Sequence, residues 1–279
     1  MGRDRVFPGG RKKAFTLSYD DGVVQDARLI ELLNKYGLKG TFNLNSGLMG
    51  QKSTLLCRGT TVEQNRFKRD RIRQIYEGHE IAAHSSHHLD LTSISHSEQL
   101  EEILGDQKKL ESIAGYKVQG FAYPFGAYDE GVIQLFEHSP MVYARTTQST
   151  GRFDLPVNFL KWHPTCRHRE ERMEELGEQF LNCRPKETDS PILFCLWGHS
   201  YEFEADGNWQ VMEQFLQKMG GREEIWYATN IEIYDAHQAF NRLIFSANGK
   251  LVTNPSYYPV WARCDGETIQ IPGGATVRL

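Results

Sequence analysis

The sequence predicts an α/β protein built on a parallel sheet and followed at its C-terminus by a small antiparallel β appendage. Two observations carry the first part. From about residue 13 to about residue 230, short apolar strand signals alternate with amphipathic helical ones. Residues 192–197 are an unbroken apolar run, as a parallel strand buried on both faces requires. The appendage rests on Asn248-Gly249 and Asp265-Gly266, dipeptides that favour tight hairpin turns, set among short alternating segments.

Residues 14–19 read as the first strand. Residues 26–36 read as a helix, because Leu29, Leu32, Leu33 and Tyr36 share one face and Gly37 can end it. Residues 40–44 are the next strand. Residues 45–62 read as a long loop of the kind that often serves a binding rim. A charged helix is expected at 65–76 and a short strand at 80–83. A longer helix follows at 97–114, with Leu100, Ile103, Leu104 and Leu110 inward and Ser97 as a lone cap. Then come a strand at 118–123, a helix at 129–137, a strand at 141–145 and a weaker strand at 159–162. The acids Glu170, Glu171, Glu174 and Glu175 mark the solvated face of a helix at 169–180. A helix at 209–219, a strand at 225–228 and a helix at 231–240 complete the alternation. Four β segments are expected at 242–247, 250–253, 258–263 and 267–271. The organisation expected is a tail at 1–12, a main domain at 13–240 and the appendage at 241–279, with no internal repeat.

The chain has 279 residues, 39% hydrophobic and 24% charged, enough for one large core without disulfides. Its net charge of -4 and pI near 6.2, with no basic stripe, argue against a nucleic-acid partner. No apolar run reaches the length of about 18 residues that a membrane helix needs. Five scattered cysteines without a Cys-x-x-Cys pair read as free thiols in a reducing compartment, with Cys195 in the core. The basic N-terminus lacks the apolar stretch of a signal peptide. The expected location is therefore the cytoplasm, or outside it after removal of a leader. The oligomeric state is left open.

The chemistry concentrates in two stretches. In Ala14-Phe15-Thr16-Leu17-Ser18-Tyr19-Asp20-Asp21-Gly22, two adjacent carboxylates sit at the end of a strand. Within a regular strand they would diverge, but a turn at Gly22 lets both lean into one site. Two acids in one pocket call for a cation or a shared proton. Residues 78–88 hold His79, His84, His87 and His88, four of the ten histidines. His84 and His88 can converge on one ion if the segment makes a helical turn. With Asp21 they form an N,N,O set suited to Zn²⁺ or another divalent first-row ion with open positions. An acidic surface turn and a polar loop with surface histidines are the plain alternatives.

The order of these stretches, followed by Tyr123-Pro124-Phe125-Gly126 and by a hydrophobic strand ending in Leu196-Trp197-Gly198-His199, resembles the polysaccharide deacetylase family (carbohydrate esterase family four, the nodulation-type deacetylase domain). The resemblance runs from about residue 13 to about residue 237. It implies a distorted (β/α)7-type barrel, whose functional groups gather at the C-terminal strand ends. Asp20, Asp21, His84, Pro124 and His199 all follow predicted strands. By resemblance Asp20 is the general base and His199 the general acid that protonates a leaving amine. Asp21, His84 and His88 hold one divalent ion, Zn first, with Co, Ni, Fe or Mn as alternatives. The Phe125 backbone N–H assists the oxyanion. The implied reaction is metal-assisted removal of N-acetyl groups from an acetylated amino sugar or glycan.

His87 stands where the family usually has Ser or Thr and takes no role. Two further departures concern protons. The family's arginine two residues before the motif proline is Ala122 here, and the aspartate expected before Trp162 is Lys161. Arg145, at the end of the next strand, is the candidate replacement for the arginine, with a surface arginine as the alternative. Trp162, Trp197, Tyr128 and Trp209 are candidate sugar-stacking faces, although aromatics more often pack in cores. Other functional readings are a hydrolase of another small C–N amide on the same fold and a non-catalytic carbohydrate-binding protein with a degenerate site. A structural metal site ranks last, since such sites usually have four protein ligands.

Overall fold

The computed structural model describes residues 3–186 and 189–279. After β1 (Arg3–Arg5) the chain enters β2 (Lys13–Asp20), whose eight residues are all buried. Alternation sorts them by face. Phe15, Leu17 and Tyr19 pack in the main core, while Thr16, Ser18 and Asp20 find polar partners on the other side. Then come β3 (Thr41–Leu44), β4 (Thr54–Cys57), β5 (Thr60–Glu63), β6 (Glu80–Ala83), β7 (Gly120–Ala122), β8 (Tyr143–Arg145), β9 (Cys166–Arg167), β10 (Ile192–Gly198) and β11 (Ile225–Tyr227). The helices are α1 (Asp26–Lys35), α2 (Arg69–Ile75), α3 (His96–Ala114), α4 (Glu130–Glu137), α5 (Met173–Asn182), α6 (Glu202–Ala205), α7 (Trp209–Met219) and α8 (Asn230–Asn241).

The parallel strands run in the order β8-β7-β6-β3-β2-β10-β9, with β11 added against the start of β2. One edge of β2 pairs with β10, and the other is shared by β11 at its start and β3 at its end. Residues 162–167 lie between the two ends of this curled sheet. Trp162 exchanges backbone hydrogen bonds with Ala144 and Thr146 beside β8, at 3.0 and 2.9 Å, and Cys166 and Arg167 pair with Leu196 and Trp197 of β10. The result is a distorted (β/α)7-type barrel. Ala14, Tyr143, Trp162, Leu193 and Cys195 belong to a second apolar cluster, while the large main core includes residues of the helices outside the sheet.

The C-terminal strands are β12 (Ile244–Phe245), β13 (Leu251–Thr253), β14 (Val260–Cys264), β15 (Glu267–Ile271) and β16 (Thr276–Arg278). They form two antiparallel sheets, β12-β13-β16 and β1-β14-β15. Asp265 and Gly266, at φ 51° and 91°, make the expected hairpin turn. Residues 3–5 of the stretch read as a tail are thus a strand of the second sheet; residues 1 and 2 lie outside the described residues. Arg5 also bonds His237 and Asn241 of α8. Because β1 leads into the start of β2, the appendage lies at the opposite end of the barrel from Asp20.

Several local expectations change. The loop at 45–62 carries the β4–β5 hairpin, turned by Arg58 and Gly59 at φ 50° and 84°. An arginine is an uncommon residue for that conformation, so the turn signal was weak. α2 begins only at Arg69, because Val23 and Arg66 form a β-bridge and hold the preceding chain extended. α3 is capped by Ser95, not Ser97, in a reciprocal capping box with Glu98. Residues 159–161 form a 3-10 turn instead of a strand. β9, α6 and β16 are too short for periodicity to register. Trp162 and Trp209 are buried and offer no open sugar-stacking face.

The Glu80 carboxylate accepts hydrogen bonds from Thr41 Oγ1, Tyr143 O–H and Ile231 N–H at 2.8, 2.7 and 2.9 Å, tying β3, β8 and α8 together. Burial pushes its pKa up from 4.5 to about 7 despite these bonds. The folded state therefore binds this proton more tightly than the unfolded chain does, and this contribution to stability falls as pH rises from about 4.5 to about 7. Urea unfolding at pH 5 and pH 8 should show a steeper loss in the wild type than in Glu80→Gln, by roughly 1–3 kcal/mol. Equal pH dependence in the two proteins would contradict this account.

Candidate active site

Asp20 and Arg145 are the last residues of β2 and β8, while His84 and His199 directly follow β6 and β10. All four therefore stand on one rim, where the strand ends no longer constrain side-chain direction. The Arg145 guanidinium is fully buried, and its Nη2 donates to both oxygens of the buried Asp20 carboxylate. Its Nε donates to Ser18 Oγ and its Nη1 to Thr146 O, each at 3.0 Å, and its Cζ lies 4.7 Å from the Trp197 ring centroid. Asn43 Nδ2 adds a bond of 2.8 Å to Asp20 Oδ1. Burial alone would raise the Asp20 pKa. The adjacent Arg145, with lesser contributions from His84 and His199, instead holds it down to about 2.

Asp21 leaves the strand with φ at 82°, which turns its carboxylate into the cleft. Its Oδ1 lies 3.9 Å from His84 Nε2 and 3.7 Å from His88 Nε2. The three residues offer ligand atoms that all lie within 4.8 Å of one another. His84 Nδ1 donates to Ala122 O at 2.7 Å, which fixes the tautomer and leaves the Nε2 lone pair facing the cleft. Burial, the leading cause, lowers the His84 pKa to about 4 against the pull of Asp20 and Asp21. Asp21 Oδ1 and His84 Nε2 are both buried without a hydrogen-bond partner. Two orphaned acceptors aimed at one point, joined by a second imidazole, fit a divalent cation.

The two histidines do not meet through a helical turn. Ser85 and His88 have φ at 62° and 58°, and this left-handed bend brings the rings to 4.7 Å. α3 supports the bend. Asp106 accepts from His84 N–H and Ser46 N–H at 3.0 and 2.7 Å, while Glu102 accepts from His87 N–H at 2.8 Å and from His87 Nδ1 at 2.6 Å. Asn45 Nδ2 donates to the carbonyls of His84 and Ser85.

Phe125 has φ at 59°, and its ring, 66% exposed, stands edge-on to His88 at 4.6 Å. The backbone bonds of that turn run from Gly126 N–H to Tyr123 O and from Ala127 N–H to Pro124 O, so neither uses the Phe125 N–H. His199 Nε2 lies 4.0 Å from Asp20 Oδ2. Burial would lower the His199 pKa, but Glu202, Asp21 and Asp20 together raise it. Asp20, Asp21, His84, His88, Phe125 and His199, with Gln64, Arg66, Trp197 and Tyr201, line one cleft of about 780 Å³.

Sequence reasoning missed Asn43, Gln64, Arg66, Arg167 and Glu202. Asn43 had a readable signal, a polar residue inside a buried strand. Glu202 had a weaker one, an acid three residues after a strand-end histidine. The others come from segments that only the fold brings near. Among the described residues no helix is long and apolar enough to cross a membrane.

The polysaccharide deacetylase family model matches residues 8–144, the stretch that contains Asp20, Asp21, His84, His88 and Phe125. YxkH of Bacillus subtilis (strain 168), which carries the name of a polysaccharide deacetylase, is 26% identical over 140 residues. That match covers 49% of this chain and 46%, just under half, of YxkH. A Mycobacterium smegmatis structure bearing the same family name aligns with a TM-score of 0.59 at 16% identity, covering 86% of this chain and 96% of that one. Puue allantoinase aligns with a TM-score of 0.55 at 14% identity, covering 82% and 91%. At such identities the two structures speak for the shared fold. The family match places residues 8–144, just under half of the chain, in the polysaccharide deacetylase family.

Proposed function

We propose that the chain is a metal-dependent hydrolase that removes the N-acetyl group from an acetylated amino sugar or glycan. The observation that carries this reading is the trio Asp21, His84 and His88, with two orphaned acceptor atoms, beside a second carboxylate already neutralised by Arg145. The trio would hold one divalent ion, with Zn²⁺ first. When bound, such an ion supplies Lewis-acid polarisation of a carbonyl and a lowered water pKa.

The chain's own groups then divide the work. Asp20, held ionised by Arg145 and Asn43, accepts the proton of the attacking water. The Phe125 N–H donates a hydrogen bond to the acetyl oxygen as negative charge builds there. His199 donates a proton to the sugar nitrogen as the C–N bond breaks, leaving acetate and a free amine. A buried base needs its counter-ion, because burial raises the pKa of a carboxylate in that position and Arg145 is the main group that lowers it. Acetate release from a panel of N-acetylated sugars, oligosaccharides and small cyclic amides tests the reading, with metal-loaded against chelated protein. Release from the cyclic amides alone would overturn the assignment to acetylated sugars.

Three outcomes are expected. Purified protein should bind about one divalent ion per chain, and His84→Ala or His88→Ala should abolish that binding; unchanged metal content in both variants would remove the assignment. Asp20→Asn should keep the ion but lose roughly 10²–10⁴ in turnover; wild-type turnover would refute the base. Arg145→Met should lower turnover and move the acidic limb of the pH–rate profile upward, since Asp20 loses the charge that depresses its pKa. Complete burial adds a stability cost of about 3–5 kcal/mol at neutral pH. In the wild type that contribution is present above the unfolded carboxylate pKa and is lost as pH falls toward about 2. An unaltered profile in folded Arg145→Met protein would remove the arginine from the site.

A further inference from the structure

We propose that Glu202 is the positioning residue for His199, fixing its ring through Nδ1 and supplying the counter-charge to its imidazolium, with Arg167 as a competing cation on the same carboxylate oxygen. This inference rests on the reading of His199 as the proton donor. It assigns a local replacement for the aspartate whose place before Trp162 is taken by Lys161, a side chain committed instead to Glu130 at 2.7 Å.

The geometry is set by the turn after β10. Glu202 N–H bonds His199 O at 3.1 Å, and Ser200 Oγ donates to Asp26 Oδ1 at 2.6 Å, which fastens the turn to α1. Glu202 is almost wholly buried, with Oε1 3.6 Å from His199 Nδ1. The same oxygen accepts from Arg167 Nη2 and from Arg169 Nη1, the latter at 3.0 Å, while His168 Nε2 lies 3.2 Å from Oε2. Gly198 makes this crowding feasible, because a Cβ there would lie 1.9 Å from His168 Nδ1. Burial alone would raise the Glu202 pKa, but His199 and the Arg167 guanidinium hold it below its ordinary value, so the carboxylate stays ionised, while burial keeps the adjacent His168 neutral by lowering its pKa to about 3.

His199 Nδ1 thus faces two groups of opposite sign, Glu202 Oε1 at 3.6 Å and Arg167 Nη2 at 3.4 Å. The other charged or titratable neighbours are Asp20 and Asp21 from the end of β2, Tyr201 from the same turn, and Arg169 and His168 behind Glu202. Trp197 packs between Arg145 and Arg167, whose Cζ atoms lie 4.7 and 4.9 Å from its ring centroid. The arginine that holds Asp20 and the one that competes for Glu202 therefore share one aromatic spacer. When His199 carries a proton on both nitrogens, Nδ1–H can only donate, and Glu202 is the acceptor on that side. When it is neutral, Arg167 can donate to Nδ1, leaving the remaining proton on Nε2, the side that faces Asp20.

The test is an NMR titration of ¹³C-histidine-labelled full-length protein, with and without Zn²⁺, the His199 signal being assigned through His199→Gln. Glu202→Gln should lower the His199 midpoint by about one pH unit or more. Arg167→Gln, at a partly exposed position, should raise it. A role confined to packing would not move the midpoint in opposite directions in the two variants. With an active substrate in hand, the alkaline limb of the kcat profile should follow each shift. An unchanged midpoint in folded Glu202→Gln protein overturns the inference, as does an unchanged or lowered midpoint in Arg167→Gln. If Glu202→Gln fails to fold, the Arg167→Gln shift decides alone. Wild-type protein that releases no acetate would sink the deacetylase reading and leave the midpoint result standing, so the two failures are distinguishable.

Discussion

The ion pair between Asp20 and Arg145 is the contact on which the rest of the site depends. β2 delivers a nearly buried carboxylate to the floor of the cleft, and an ionised group there is costly unless paired and hydrogen-bonded. Arg145 meets that demand from β8, which lies at one end of the sheet order, so its side chain must reach across to β2. Ser18, Thr146 and the face of Trp197 hold its guanidinium in place. The pair therefore joins β2, β8 and β10 beneath the cleft. It also resolves the problem posed by two adjacent acids. With Asp20 neutralised from below, Asp21 can present a free oxygen to the two histidines without a second uncompensated carboxylate beside it.

Much of this was legible because the determining signals are local. The apolar run before Asp20 has to be a strand, residues 192–197 have to be buried on both faces, and each ends on a residue able to do chemistry. Strands that end on one rim bring such residues together whatever the loops do. The same argument gave Arg145 a route to Asp20. What resisted reading was set by tertiary contact. β9 is two residues long and exists because Cys166 and Arg167 pair with β10. Its position, rather than any motif, delivers Arg167 and His168 to Glu202. The β4–β5 hairpin was hidden by a turn at Arg58-Gly59 instead of an Asn-Gly dipeptide.

The route by which the two histidines converge was misread, and the reason is instructive. Spacing of four suggests a helical face, but the same approach can be made by a bend if the chain tolerates left-handed residues. Six non-glycine residues among the described residues have positive φ, and four of them, Asp21, Ser85, His88 and Phe125, surround the cleft. Asp and His tolerate that conformation better than most types, whereas Ser and Phe do not, and with no glycine at any of the four the bend left no clear turn signal. Such backbone costs roughly 1–3 kcal/mol per residue and persists only where surrounding contacts over-determine it.

Those contacts come from behind the cleft. Asp106 and Glu102 lie one turn apart on α3 and take the backbone N–H groups of His84, His87 and Ser46, while Asn45 takes the carbonyls of His84 and Ser85. Asp106 is fully buried, and burial pushes its pKa up to about 7 against three opposing hydrogen-bond contributions. A polar network of that kind is a poor source of net stability, since each charge must be desolvated before it can bond. Its worth lies in geometry. It holds the segment from His84 to His88 in a conformation the segment would not choose, so that two imidazoles face one carboxylate oxygen. The same logic runs on the other side of the cleft, where Arg167, Arg169 and His168 crowd Glu202 beside His199. The two halves of the cleft thus follow one pattern, in which a buried acid, pinned by donors from neighbouring elements, fixes a strand-end histidine through its backbone on the first side and through its ring on the second.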